Sequence, residues 1–113
     1  MDISKLTIRS QQAIEKAQEI AQENQHQVLE SGHLMLGLLA VDKELIPALL
    51  EKQGVQVARF QAAVSAYVNA FPNVHGGELH LSNALNAVLN KALADLNSWG
   101  DSYLAVDALF YYL

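Results

Sequence analysis

The amino-acid sequence predicts an all-α domain built from a duplicated helical unit. Three observations carry that reading. Apolar residues recur at helical spacing between the turn signals. Short polar residues suited to cap helices stand at Thr7, Ser31 and Ser82. The last third of the chain also matches the first at one constant offset, 75 residues, which pairs Ser82 with Thr7, Ala92 with Ala17, Leu104 with Leu29 and Leu109 with Leu34. With 113 residues, 51% of them apolar and 17% charged, the chain is expected to fold as one domain around one core.

Taken in order, Thr7 caps a first amphipathic helix, from about residue 8 to 24, with Ile14, Ala17, Ile20 and Ala21 on one face. In LESGHLMLGLLAV the leucines start after Ser31, so a second helix begins there, apolar almost all round and therefore buried. Pro47 fits only a first helical turn, so ELIPALLEKQG reads as a third helix beginning near residue 44 or 45 and stopped at Gly54. A fourth helix presents Val57, Phe60, Ala63, Val64, Tyr67 and Val68 on one face. FPNVHGGELHL, with Pro72, Gly76 and Gly77, has no period and reads as a linker. Ser82 caps a fifth helix running to about residue 97, and DSYLAVDALFYYL passes through an extended approach into a sixth. The domain boundaries are therefore 1–113 for the whole, 1–70 for repeat one, 71–81 for the linker and 82–113 for a partial repeat two.

Several function classes are excluded on chemistry. There is no cysteine, hence no disulfide framework and no thiolate metal site. The net charge of −5, with seven scattered basic residues, argues against nucleic acid as a partner. No run approaches the ~18 apolar residues of a membrane span, and Asp2, Lys5 and Arg9 interrupt the N-terminus before a secretory signal could form. No glycine is followed by lysine, so the phosphate cradle G-x-x-x-x-G-K-[ST] is missing and no nucleotide or other cofactor is expected. His75, Glu78 and His80 have zinc-compatible atoms but lie in the linker without a fourth ligand, so no metal is expected there. His33, alone among leucines, pairs with Ala108 across the duplication. A lone imidazole without oriented partners is neither base nor ligand, so a structural role is expected, with its ring nitrogens bonded near the helix start.

The order Thr7, Ala17, Leu29, His33-Leu34-Met35, Leu38-Leu39, then Ser82, Leu89, Ala92, Gly100-Asp101 and Tyr103-Leu104 resembles the double Clp repeat. That repeat forms the N-terminal domain of ATP-dependent Clp chaperones, and IPALLEKQGV with FPNVHGGE is most similar to the ClpB-type disaggregase branch. The resemblance implies a pseudo-twofold fold of eight helices, of which six are present; the counterpart of residues 42–70 is absent from repeat two, so the chain reads as a fragment or a shortened free-standing relative. It implies a domain, not itself an enzyme, that captures exposed apolar segments of unfolded or aggregated polypeptides in the cytoplasm. The ATPase modules of the parent chaperone would act on them; the alternative is an adaptor docking on a Clp complex. Carried over by position, the apolar groove falls on Leu89, Lys91, Ala108 and Leu109, with family polar positions at Thr7, Asp101 and Asp107. Lys91 at the rim is expected to disfavour densely positive segments, and the three polar residues to serve architecture first: Thr7 as a cap, Asp107 in a first helical turn, and Asp101 by bonding backbone N–H groups of its loop.

Overall fold

The computed structural model describes residues 3–113, the side chain of Trp99 apart; Asp2 lies outside the described residues. After a single 3-10 turn, α1 (Ile8–Glu23) begins where the Thr7 hydroxyl accepts the Ser10 N–H at 3.2 Å. Its buried face is made of small residues, Ser10, Ala13, Ala17 and Ala21, with Ile14. That face lets a second helix approach the α1 backbone closely. α2 (Ser31–Val41) does so and buries Leu34, Leu38 and Leu39. Its cap is Glu30, one residue before the expected Ser31, because Glu30 and His33 close a capping box in which an imidazole stands where Glu or Gln is usual.

The turn into α3 (Leu45–Lys52) is organised by Asp42, a fully buried carboxylate. One oxygen accepts the Ile46 N–H at 2.6 Å and the other the N–H groups of Glu44 and Leu45 at 3.3 Å, while Arg9 stands 3.7 Å away. Asp42→Ala strands these donors at a helix start, and is expected to cost ~2 kcal/mol in urea denaturation. A loss below about 0.5 kcal/mol would mean the donors find other partners. Pro47 occupies the first turn, where its missing N–H costs nothing.

α4 (Val57–Asn69) departs from the expected buried face: only Val68 is fully buried, Phe60 is partly covered against Phe110, and Ala63 and Tyr67 are exposed. The reason is position. α4 lies at the edge of the bundle against α2 and α3, so its apolar stripe is covered along one margin only.

The expected linker 71–81 ends in structure. β2 (His80–Leu81) runs parallel to β1 (Val28–Leu29), pairing Leu81 with Leu29. Beyond it come α5 (Asn83–Ala94), a 3-10 turn at Asn97–Trp99 closed by Gly100 at φ 72°, and α6 (Val106–Tyr112). Leu6 and Leu104 form a second parallel bridge.

These two seams establish the symmetry. Under the offset of 75, the pair Leu29 and Leu81 becomes Leu104 and Leu6, the other bridge with its members exchanged. The hydrogen bonds follow: Ser82 N–H donates to Leu29 O at 3.0 Å, and Thr7 N–H to Leu104 O at 3.1 Å. Ser82 caps through Leu85 N–H at 3.0 Å as Thr7 does through Ser10 N–H. Reciprocal exchange of partners is the signature of a twofold relation. Ala17 and Ala92 are both buried, and one apolar cluster joins the two halves.

Candidate functional site

The duplication is broken at the surface of repeat two, and the break makes a groove of about 530 Å³. In repeat one, Gly37 brings α2 onto α1 so closely that a Cβ there would overlap the Ala13 carbonyl oxygen. The residue equivalent to Gly37 is Tyr112. Its bulk keeps α6 from settling onto α5 in the same way, and its hydroxyl donates to Asp95 at 2.8 Å. Ala92 and Leu96 on the α5 side and Leu104 and Ala108 on the α6 side are left lining an open cleft.

Repeat one shows what lies against the equivalent residues there. In repeat one the C-terminal end of α4 covers α2: a Cβ on Gly32 would stand 2.8 Å from Val68 Cγ2, and the Phe71 ring lies 5.4 Å from that of His33 and 5.6 Å from that of His26. The equivalents of Gly32, His33 and His26 are Asp107, Ala108 and Asp101, and all three line the groove. Leu49 of α3, Tyr103 and Tyr111 complete the rim, at 42%, 59% and 74% exposure.

Of the groove residues expected from the family resemblance, the structure brings together Ala108, Asp101 and Asp107. Leu89 and Leu109 are corrected: they are 1% and 0% exposed, part of the core beneath the groove and not of its surface. Both belong to the apolar cluster that joins the two halves, so burial claims them first. Lys91 is exposed and lies outside the lining residues, with Nζ 3.0 Å from Asp95. That hydrogen bond raises the Lys91 pKa and lowers that of Asp95. Lys91 therefore carries a matched charge, while the groove holds Asp101 and Asp107 and no basic side chain. Lys91 is therefore not at the rim where it was expected. Thr7 is at the seam, as a cap. Asp107 accepts its neighbour Ala108 N–H at 2.9 Å, and the Asp101 contribution to its loop runs through its backbone N–H to Leu96 O at 3.1 Å.

In repeat one the counterpart is occupied by the packed rings of His33, His26 and Phe71. His33 is fully buried; the Glu30 N–H donates to its Nδ1 at 2.9 Å, so neutral His33 carries its proton on Nε2, which faces His26 Nδ1 at 2.9 Å. Burial first, and the neighbouring imidazole second, hold its pKa down at about 4. The expected structural role is what this geometry describes, although His26 as its partner was not foreseen. Among the described residues, no three His, Cys, Asp or Glu side chains gather into a metal site, and His75, Glu78 and His80 are exposed.

Two seams related by a twofold and helix pairs capped alike define a class of small duplicated helical domains, and this chain belongs to the Clp repeat family. The model of the Clp repeat (R) N-terminal domain matches residues 5–112. The chaperone protein ClpB of Nitratidesulfovibrio vulgaris is 36% identical over 97% of this chain, and ClpB 1 of Parasynechococcus marenigrum 35% identical over 86%. The chain spans only 13% and 11% of the lengths of those two relatives. In fold it is similar to the N-terminal domain of Hsp104 from Candida albicans, with a TM-score of 0.86, 20% identity, and coverage of 96% of this chain and 72% of that one. It is similar also to the N-terminal domain of the ClpV1 ATPase from E. coli, with a TM-score of 0.88, 19% identity, and coverage of 98% and 68%. No described helix is long and apolar enough to cross a membrane.

Proposed function

We propose that this domain captures exposed apolar segments of unfolded or aggregated polypeptides for a ClpB-type chaperone, whose ATPase modules lie outside these residues and act in the cytoplasm. The observation that carries this reading is the groove over α6, apolar at its base, open to solvent and lined by exposed Leu49, Tyr103 and Tyr111. Burial of apolar area is non-directional, so such a surface takes many sequences at modest affinity. The absence of a Gly-Lys phosphate cradle assigns nucleotide handling elsewhere. The matched relatives are chaperones, which favours capture over the adaptor reading.

The test is titration of the isotope-labelled domain with reduced, carboxymethylated α-lactalbumin, a permanently unfolded protein. Binding at a Kd of ~10 to 100 μM is expected, with amide shifts between residues 92 and 112 and none when native α-lactalbumin is added. Ala108→Glu, a change on the groove floor, should weaken it about tenfold. Shifts confined to α4 would move the site to repeat one and restore the adaptor reading.

A further inference from the structure

Between the repeats, residues 71–80 run over the histidine pair as a strap. Phe71 lies against both rings, 5.6 Å from that of His26 and 5.4 Å from that of His33. Beyond it the strap is bonded to both neighbours of His26: the Val74 N–H donates to Gln25 O at 2.8 Å and the His80 N–H to Gln27 O at 3.0 Å. His26 is thereby held at 5% exposure, reaching only the clefts that Val74 also lines.

The pair has no vacant place for a further proton. With the Glu30 N–H on His33 Nδ1 and the His33 Nε2 proton directed at His26 Nδ1, neutral His26 carries its own proton on Nε2. Both remaining lone pairs are already acceptors. A proton on His33 Nδ1 would open the capping box of α2. A proton on His26 Nδ1 would set two N–H groups against each other across the 2.9 Å now spanned by a hydrogen bond. Of the two rings, His26 is the one with a way out. His33 belongs to α2 and is fully buried, whereas His26 follows Gln25, whose φ of 57° is the left-handed conformation that glycine usually supplies at a helix end. Opening the connection relieves that strain. Facing the pair are Glu30 on its own connection and His75 on the strap; Gln22 of α1, Gln25 and Gln27 line the same clefts without charge, and α4 contributes Tyr67 against Phe71.

We propose that the histidine pair is a pH-operated latch: proton uptake expels His26 and lifts the strap at residues 71–79, while the two seams between the repeats stay closed.

The test is amide exchange of the isotope-labelled 113-residue chain at pH 7.5 and 5.0, expressed as protection factors. On acidification the Val74 N–H should lose protection about tenfold or more, while the seam donors Thr7 and Ser82 change by less than about twofold. Imidazole nitrogen shifts should show both rings protonated on Nε2 alone at pH 7.5, and at pH 5.0 His26 protonated on both nitrogens with His33 still neutral. His26→Asn offers an amide oxygen to the His33 Nε2–H and does not titrate, so its Val74 protection should stay within about twofold across the same change. His75→Gln should respond as the natural chain does. Equal loss at Val74, Thr7 and Ser82 would be unfolding of the whole domain and overturns the inference. So does the full loss at Val74 in His26→Asn, which would assign it to carboxylates, or its disappearance in His75→Gln. Should His26→Asn not fold, the natural chain decides: His26 still neutral where Val74 has lost its protection overturns the latch.

Discussion

Gly37→Val is expected to destabilise the domain by ~3 kcal/mol or more and to lower its melting temperature by ~10 °C or more. Gly37 is where α2 meets α1: a Cβ would overlap the Ala13 carbonyl oxygen and stand 3.1 Å from the Ala17 nitrogen. Both obstacles are backbone inside a helix, and neither can rotate away as a side-chain tip could. Relief requires α2 to move off α1, which uncovers Leu34, Leu38 and the alanine face of α1 together. A small domain holds only ~5 to 15 kcal/mol in total, so the loss is a large part of its stability. The equivalent position in repeat two gives the contrast. Tyr112→Ala removes a hydrogen bond to Asp95 and some partly covered ring surface, so ~1 kcal/mol is expected. Urea denaturation of both variants decides the matter. Equal losses at Gly37 and Tyr112 would show that the two helix pairs pack alike and that the groove is not a product of their difference.

What could be read from the chain follows from where the information lies. Thr7 and Ser82 bond donors three residues away, so caps and helix starts were legible, and the offset of 75 tied them into a duplication. Pro47 and Gly54 mark the limits of α3 for similarly local reasons. Contacts between distant segments were not legible. His80 and Leu81 carry no pattern that separates them from a linker; they become a strand because β1 offers them a partner 52 residues earlier in the Val28 and Leu29 register. His33 could be assigned a structural role, but its partner His26 sits at the other end of the α1 to α2 connection. In the groove, Ala108, Asp101 and Asp107 came from family resemblance alone. Leu89 and Leu109 came with them because a leucine on a helix looks the same whether it faces core or solvent. Leu49 was missed because α3 of one repeat reaches α6 of the other.

The pH dependence of stability should carry the mark of His33. Its pKa is near 4 in the folded domain and near 6.5 in the unfolded chain, since burial disfavours the imidazolium and His26 faces it. Between those values the unfolded state takes up a proton that the folded state refuses. The contribution of His33 is therefore complete above pH ~6.5, and falls as pH drops toward 4, by ~3 kcal/mol across the window. The geometry says why no local rearrangement avoids it. His33 Nδ1 is committed to the Glu30 N–H at 2.9 Å, and a proton placed there would end that bond and open the capping box of α2. His26 and Phe71 close off the ring's other sides, and Glu30, whose charge acts to raise the pKa, does not outweigh burial. His33→Asn places an amide oxygen near Nδ1, able to accept the same N–H without titrating. Urea midpoints measured from pH 7.5 to 4.5 should decline steeply for the natural chain and much less for His33→Asn, the remainder belonging to carboxylates common to both. Parallel profiles for the two proteins would mean that His33 takes its proton as readily folded as unfolded, and that the contacts of the imidazole pair do not exclude charge.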